Sequence, residues 1–159
     1  MILEKDIERI ASVLEESNFE KELGSFQKNQ PMLYSYLLDD QFELLNEDEY
    51  LIFWFASMVI VKSFEAKGSI APISDTLLFE EIESANWALL ENSKPLAFNN
   101  KIDVFFEKTN HEDLLAFVED RLADDDEMQV GSAAREIIFI SLVSIIDLLD
   151  SVTSKAQKH

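Results

Sequence analysis

The sequence predicts an all-α fold, a single-domain helical bundle of about six to seven helices around a central apolar helix spanning 47–67. Three observations predict it. Only 3 Gly and 3 Pro punctuate 159 residues, too few for the many turns of a sandwich or barrel. Apolar residues recur at spacings of three and four with acids between them, the pattern of helices buried on one face. The stretch Tyr50 to Val61 carries no charge and lies between Glu47-Asp48-Glu49 and Lys62. A helix apolar nearly all round is buried nearly all round, and this one falls short of the roughly 20 residues that span a bilayer.

The first helix is expected over Leu3 to Asn18, where Leu3, Ile7, Ile10 and Leu14 form the stripe and Glu4, Lys5, Glu8, Glu15 and Glu16 face water. Phe19, Leu23 and Phe26 extend it into a second piece that Gly24 should interrupt. Pro31 suits the first position of a helix running to about Leu38. Phe42, Leu44 and Leu45 form an apolar connection. Asn46 and Glu49 then make a capping box at the start of the central helix, and Gly68 is placed as its left-handed terminator. Ile70 and Ile73 should pin an extended segment to the core. Ser74 or Asp75 caps the next helix, which carries Leu77, Leu78, Ile82, Trp87 and Leu89 and ends before Lys94-Pro95.

A short helix with Ile102, Phe105 and Phe106 follows. Asn110 and Asp113 are the start signature of the helix holding Leu114, Leu115, Val118 and Leu122. Asp124-Asp125-Asp126-Glu127 and Gly131 form a loop, and Ser132 opens the last helix. Its polar residues, Ser141, Ser144, Asp147, Ser151 and Ser154, fall on one narrow line at 3-3-4-3 spacing. Such a line is a thin solvent face or a seam against another helix. The domain should occupy 1–154, with 155–159 as a frayed tail. Leu33–Asp39 can be laid on Leu114–Asp120, and Leu51–Trp54 on Ile137–Ile140. A duplication would pair the central and last helices under pseudo-twofold symmetry, and chance likeness between helices is the alternative.

Composition excludes several functions. The formal charge of −19 opposes binding to nucleic-acid phosphates or to an anionic membrane. No Lys or Arg occurs from Asn29 to Val61 or from Gly68 to Ser93. With no Cys, disulfide and thiolate chemistry are removed, and a reducing compartment is suited. The charged N-terminus is unlike a signal peptide, which makes the cytoplasm the expected location.

Chemistry has few footholds. His111 is read as a solvated first-turn residue, with His159 in the tail. The acidic run at 124–127 lacks the alternate ligand spacing and the glycine of a calcium loop. No phosphate loop or dinucleotide fingerprint is present. An all-carboxylate magnesium site has weak candidates in Glu80 and Glu83 (with Glu81) on one helix and Glu119 and Asp120 on another; the alternative is two solvated helix faces. The expectation is therefore a non-catalytic helical module that binds another protein, without cofactor or metal. An acidic decoy or immunity-type inhibitor of a basic, nucleic-acid-processing protein is the alternative, and a carboxylate-magnesium hydrolase the second. Phe98, Phe105 and Phe106 are placed either in a partner groove or in the core. Trp54 is assigned to the core.

Overall fold

The structure is a computed structural model that describes residues 2–92, 97–123 and 130–157. It is all-α, with no strand among the described residues. In chain order the helices are α1 (Glu4–Glu16), α2 (Phe19–Asn29), α3 (Pro31–Leu37), α4 (Glu47–Glu65), α5 (Thr76–Glu91), α6 (Phe98–Lys101), α7 (Asp103–Lys108), α8 (Glu112–Leu122) and α9 (Ser132–Gln157), with a 3-10 turn at Asp40–Phe42. The short helix expected around Ile102 is split there into α6 and α7, Ile102 ending one and preceding the other. Helix α9 continues past Ser154 into the stretch expected to fray. The expectations for Lys94-Pro95, for the acidic run 124–127 and for His159 lie outside the described residues.

Helices α4 and α9 pack against each other at the centre. Helices α1 and α8 lie on α4, α5 and α8 lie on α9, and α1 also meets α8. Trp54 is core at 6% exposure, edge-on to Tyr34 at 5.5 Å and to Phe26 at 6.2 Å. Phe105 is core as well, and it and Phe98 both stack edge-on against Phe139.

Helix α4 is less enclosed than its composition implies. Leu51 is 49% exposed, and Tyr50, Ile52 and Phe55 are half-buried. Its first turns lie beside α3 and the Asp40–Phe42 turn, through Tyr50 Oη donating to Leu37 O at 2.8 Å and Phe42 against Phe53 at 4.5 Å. These elements are too small to wrap a helix. Helix α9 is the better-wrapped one, with every residue from Ile138 to Ile146 buried. By length and composition it alone among the described helices could cross a membrane, with mean hydropathy 1.9, yet 61% of that window is buried inside the fold.

Several helix ends are held by partners that local sequence does not reveal. The capping box at Asn46 and Glu49 forms as expected. In addition, Glu49 Oε2 accepts from Gly131 N at 2.9 Å, so one buried carboxylate serves the starts of both central helices. Asp75 caps α5 through Leu78 N. The Asn110 and Asp113 signature does not cap α8. Asp113 Oδ2 accepts instead from Glu4 N at 2.9 Å, supplying the cap that Leu3 cannot give α1. The buried amide of Gln30 holds the extended segment, accepting from Ile73 N at 3.0 Å and donating to Ala71 O at 3.2 Å.

Two glycines depart from expectation. Gly24 sits inside a continuous α2 with open space where a Cβ would be, so it breaks nothing. Gly68 is not left-handed. The end of α4 tightens through Lys67 N to Phe64 O and Gly68 N to Glu65 O, satisfying its last carbonyls by i to i+3 bonds.

Candidate functional site

The first part of the polar line on α9, Ser141, Ser144 and Asp147, is a seam that leads to a groove, whereas Ser151 is half-buried and Ser154 is exposed. Asn86 of α5 is 1% exposed. Its Nδ2 donates to Ser144 Oγ and to Asp147 Oδ2, each at 3.1 Å, and its Oδ1 accepts from Lys108 Nζ at 3.0 Å. Burial pushes the Asp147 carboxyl up from its ordinary range, against the pull of Asn86 and Lys108. Two turns toward the start of α9, Ser141 Oγ is hydrogen-bonded to Tyr36 Oη at 2.9 Å. Tyr36 donates to Glu83 Oε2 at 2.5 Å. A buried amide and a half-buried phenol thus take up hydrogen-bonding groups that would otherwise be stranded inside the bundle.

Tyr36 and Glu83 form the floor of an open groove of about 790 Å³ between α3 and α5. Helix α3 contributes Met32, Ser35 and Tyr36, about one turn apart on one face, and Asp39 joins them from the extended link between α3 and the Asp40–Phe42 turn. Helix α5 contributes Phe79, Glu83 and Trp87, also one turn apart, flanked by Glu80 and Ser84. Tyr36 stacks edge-on against Phe79 at 4.6 Å and joins the two walls. Burial raises the Glu83 carboxyl, the Tyr36 hydrogen bond opposes this, and the charges of Asp39 and Glu80 add to it. Burial and the Glu83 charge raise the Tyr36 hydroxyl in turn.

The groove unites the two cation-free stretches of the sequence. All its α3 lining comes from the run after Asn29 and all its α5 lining from the run after Gly68, so three carboxylates line it and no Lys or Arg does.

The magnesium candidates do not line one site. Glu80 and Glu83 belong to the groove. Glu119 and Asp120 line a different cavity of about 280 Å³ with Phe98, Asn99 and Arg135. The Glu119 carboxyl is raised by burial and by the charges of Asp120 and Asp103. Among the described residues no three His, Asp or Glu side chains are grouped to hold a metal ion. Arg121, beside that pair in sequence, lies over Phe55 and Phe117 and pairs with Glu15 at 3.6 Å.

His111 is not the solvated residue expected of a first turn. It is 8% exposed, precedes α8, and places Nε2 2.9 Å from Asp150 Oδ1 while its ring meets Phe64 edge-on at 5.0 Å. Asn110 Nδ2 donates to Asp150 Oδ2 at 3.1 Å. Nδ1 is buried and makes no hydrogen bond among the described residues. One ring nitrogen is held by Asp150 and the other is walled in. No hydroxyl among the described residues lies within hydrogen-bond reach of the ring, so the geometry of a nucleophile and its base is missing. The neighbouring cavity of about 650 Å³ is lined in part by Ile2, Lys67 and Ser69.

Sequence reasoning named Glu80 and Glu83 for a metal and missed Tyr36, Asn86 and Trp87 as a constellation. The signal was present in the polar line of α9, which reads as a seam once α5 is known to cover it. Comparison with protein-family models, with curated proteins and with solved structures finds no match for this chain.

Proposed function

We propose that the protein is a non-catalytic binding module of the cytoplasm whose α3/α5 groove docks a basic segment of another protein. One observation carries this reading: a concave, aromatic-walled surface lined by Asp39, Glu80 and Glu83 and by no cation. Apolar walls supply contact area and displace water, while the carboxylates select the sign of the partner's charge and speed its approach.

The test is capture of partners from a cell lysate on the immobilised protein, washed at low and then high salt. Wild type is compared with Ser84→Arg, which puts a cation on the exposed rim without disturbing the core. A partner held by wild type and absent from Ser84→Arg is expected, weakening as salt screens the carboxylates. Equal retention by both forms would end the groove reading.

A further inference from the structure

We propose that the groove recognises an arginine side chain, with a guanidinium of the partner protein stacking on Trp87 and forking onto the carboxylates of Glu83 and Glu80. This rests on the groove being the docking surface and names the chemistry that surface selects. The register of α5 sets it up. Phe79, Glu83 and Trp87 follow one another at one-turn spacing, with Glu80 beside them. A planar cation seated on Glu83 therefore has the half-buried Trp87 ring one turn away, while Phe79, one turn the other way, is buried against Tyr36.

Glu83 is prepared for such a ligand. Tyr36 holds its Oε2, fixing the carboxylate, while Oε1 makes no hydrogen bond among the described residues. A fixed, half-buried carboxylate loses little freedom when a cation arrives, and the charge it meets is poorly screened. Burial disfavours the ionised form of Glu83, and a bound cation would oppose that shift.

Arginine fits better than lysine. A guanidinium is planar, donates in a fork and is weakly hydrated, so it can lie on an indole and pair with a carboxylate together. The chain uses this geometry itself, where Arg121 lies 4.9 Å from the Phe55 ring centre and 5.1 Å from that of Phe117 while pairing with Glu15. In the groove the aromatic and acidic parts of that arrangement are present and the cation is not. At about 790 Å³ the groove exceeds one side chain. The half-buried Met32 is left to receive an apolar neighbour of the arginine, as a peptide segment provides.

The experiment follows the Trp87 indole N–H by NMR in the full chain, assigned against Trp54 by Trp87→Phe. The probes are blocked five-residue peptides with one central arginine flanked by leucine and alanine, and counterparts with lysine or the uncharged isostere citrulline. The arginine peptide is expected to shift the Trp87 resonance saturably. Citrulline should bind about tenfold or more weakly, the loss of a charge-assisted pair, and lysine should fall between. Glu83→Gln, which retains an acceptor for Tyr36, should weaken arginine binding and leave citrulline binding unchanged. Tyr36→Phe, which frees Glu83, should erase the preference for arginine over lysine while charge still favours both over citrulline. Equal binding of arginine and citrulline, or of arginine and lysine, overturns the arginine assignment and leaves the docking reading standing. If no peptide moves Trp87 while the lysate partner is lost from Ser84→Arg, the arginine assignment alone fails. If no peptide moves Trp87 and that partner ignores Ser84→Arg, both fail.

Discussion

Helix α9 meets the rest of the fold through two kinds of surface. Ile138, Phe139, Leu142, Ile145 and Leu149 are fully buried and purely apolar. Ser141, Ser144 and Asp147 are tied by hydrogen bonds to Tyr36 and Asn86. Apolar burial is large but non-directional, so it holds α9 in the core without fixing how far a neighbouring helix slides. Hydrogen bonds contribute less each and are lost on a shift of about an ångström. The apolar side sets stability, and the polar side sets the register of α5 and thereby the line of Phe79, Glu83 and Trp87.

The comparison breaks most easily on its apolar side. Phe139→Ala removes a fully buried ring packed edge-on against Phe105 at 5.1 Å and Phe98 at 5.5 Å. It should cost about 3–5 kcal/mol in urea denaturation. A loss under about 1 kcal/mol would mean that this side of α9 repacks freely.

On the polar side, Asn86→Ala strands Ser144 and separates Lys108 from its amide partner. The expected cost is about 1–3 kcal/mol, the penalty for unsatisfied buried groups. Ser144→Ala introduced into that variant should then cost less than it does in wild type. Strict additivity in this double-mutant cycle would show that the seam is not a connected network.

The smallest effect is a pH slope. Burial raises the folded-state pKa of Asp147 above its unfolded value, so the folded state binds a proton more readily than the unfolded chain. Stability therefore falls as pH rises from the ordinary carboxylate value through the raised one, and is regained on acidification. Asp147→Asn should flatten this part of the curve in denaturation series run from neutral to mildly acidic pH. An unchanged slope would move the titration to other raised carboxylates, with Glu83 the first to replace.

Which residues are helical was legible in the sequence, because the 3.6-residue period and the box at Asn46 and Glu49 are local properties. So were the Pro31 start, a cap at Ser74 or Asp75, which the structure assigns to Asp75, and the burial of Trp54. The two cation-free stretches were also plain, and part of each lines one wall of the groove. What tertiary structure decided were the pairings over long sequence distances. Asp113 caps α1, Glu49 reaches Gly131, and His111 is enclosed by Asp150 and Phe64. Each residue has an ordinary local role that the sequence suggests first. The same limit hid the groove: Tyr36 and Glu83 are far apart in the chain, and periodicity says which face of a helix is apolar but not which helix will cover it. Local spacing fixes faces, whereas partners are chosen by how those faces pack.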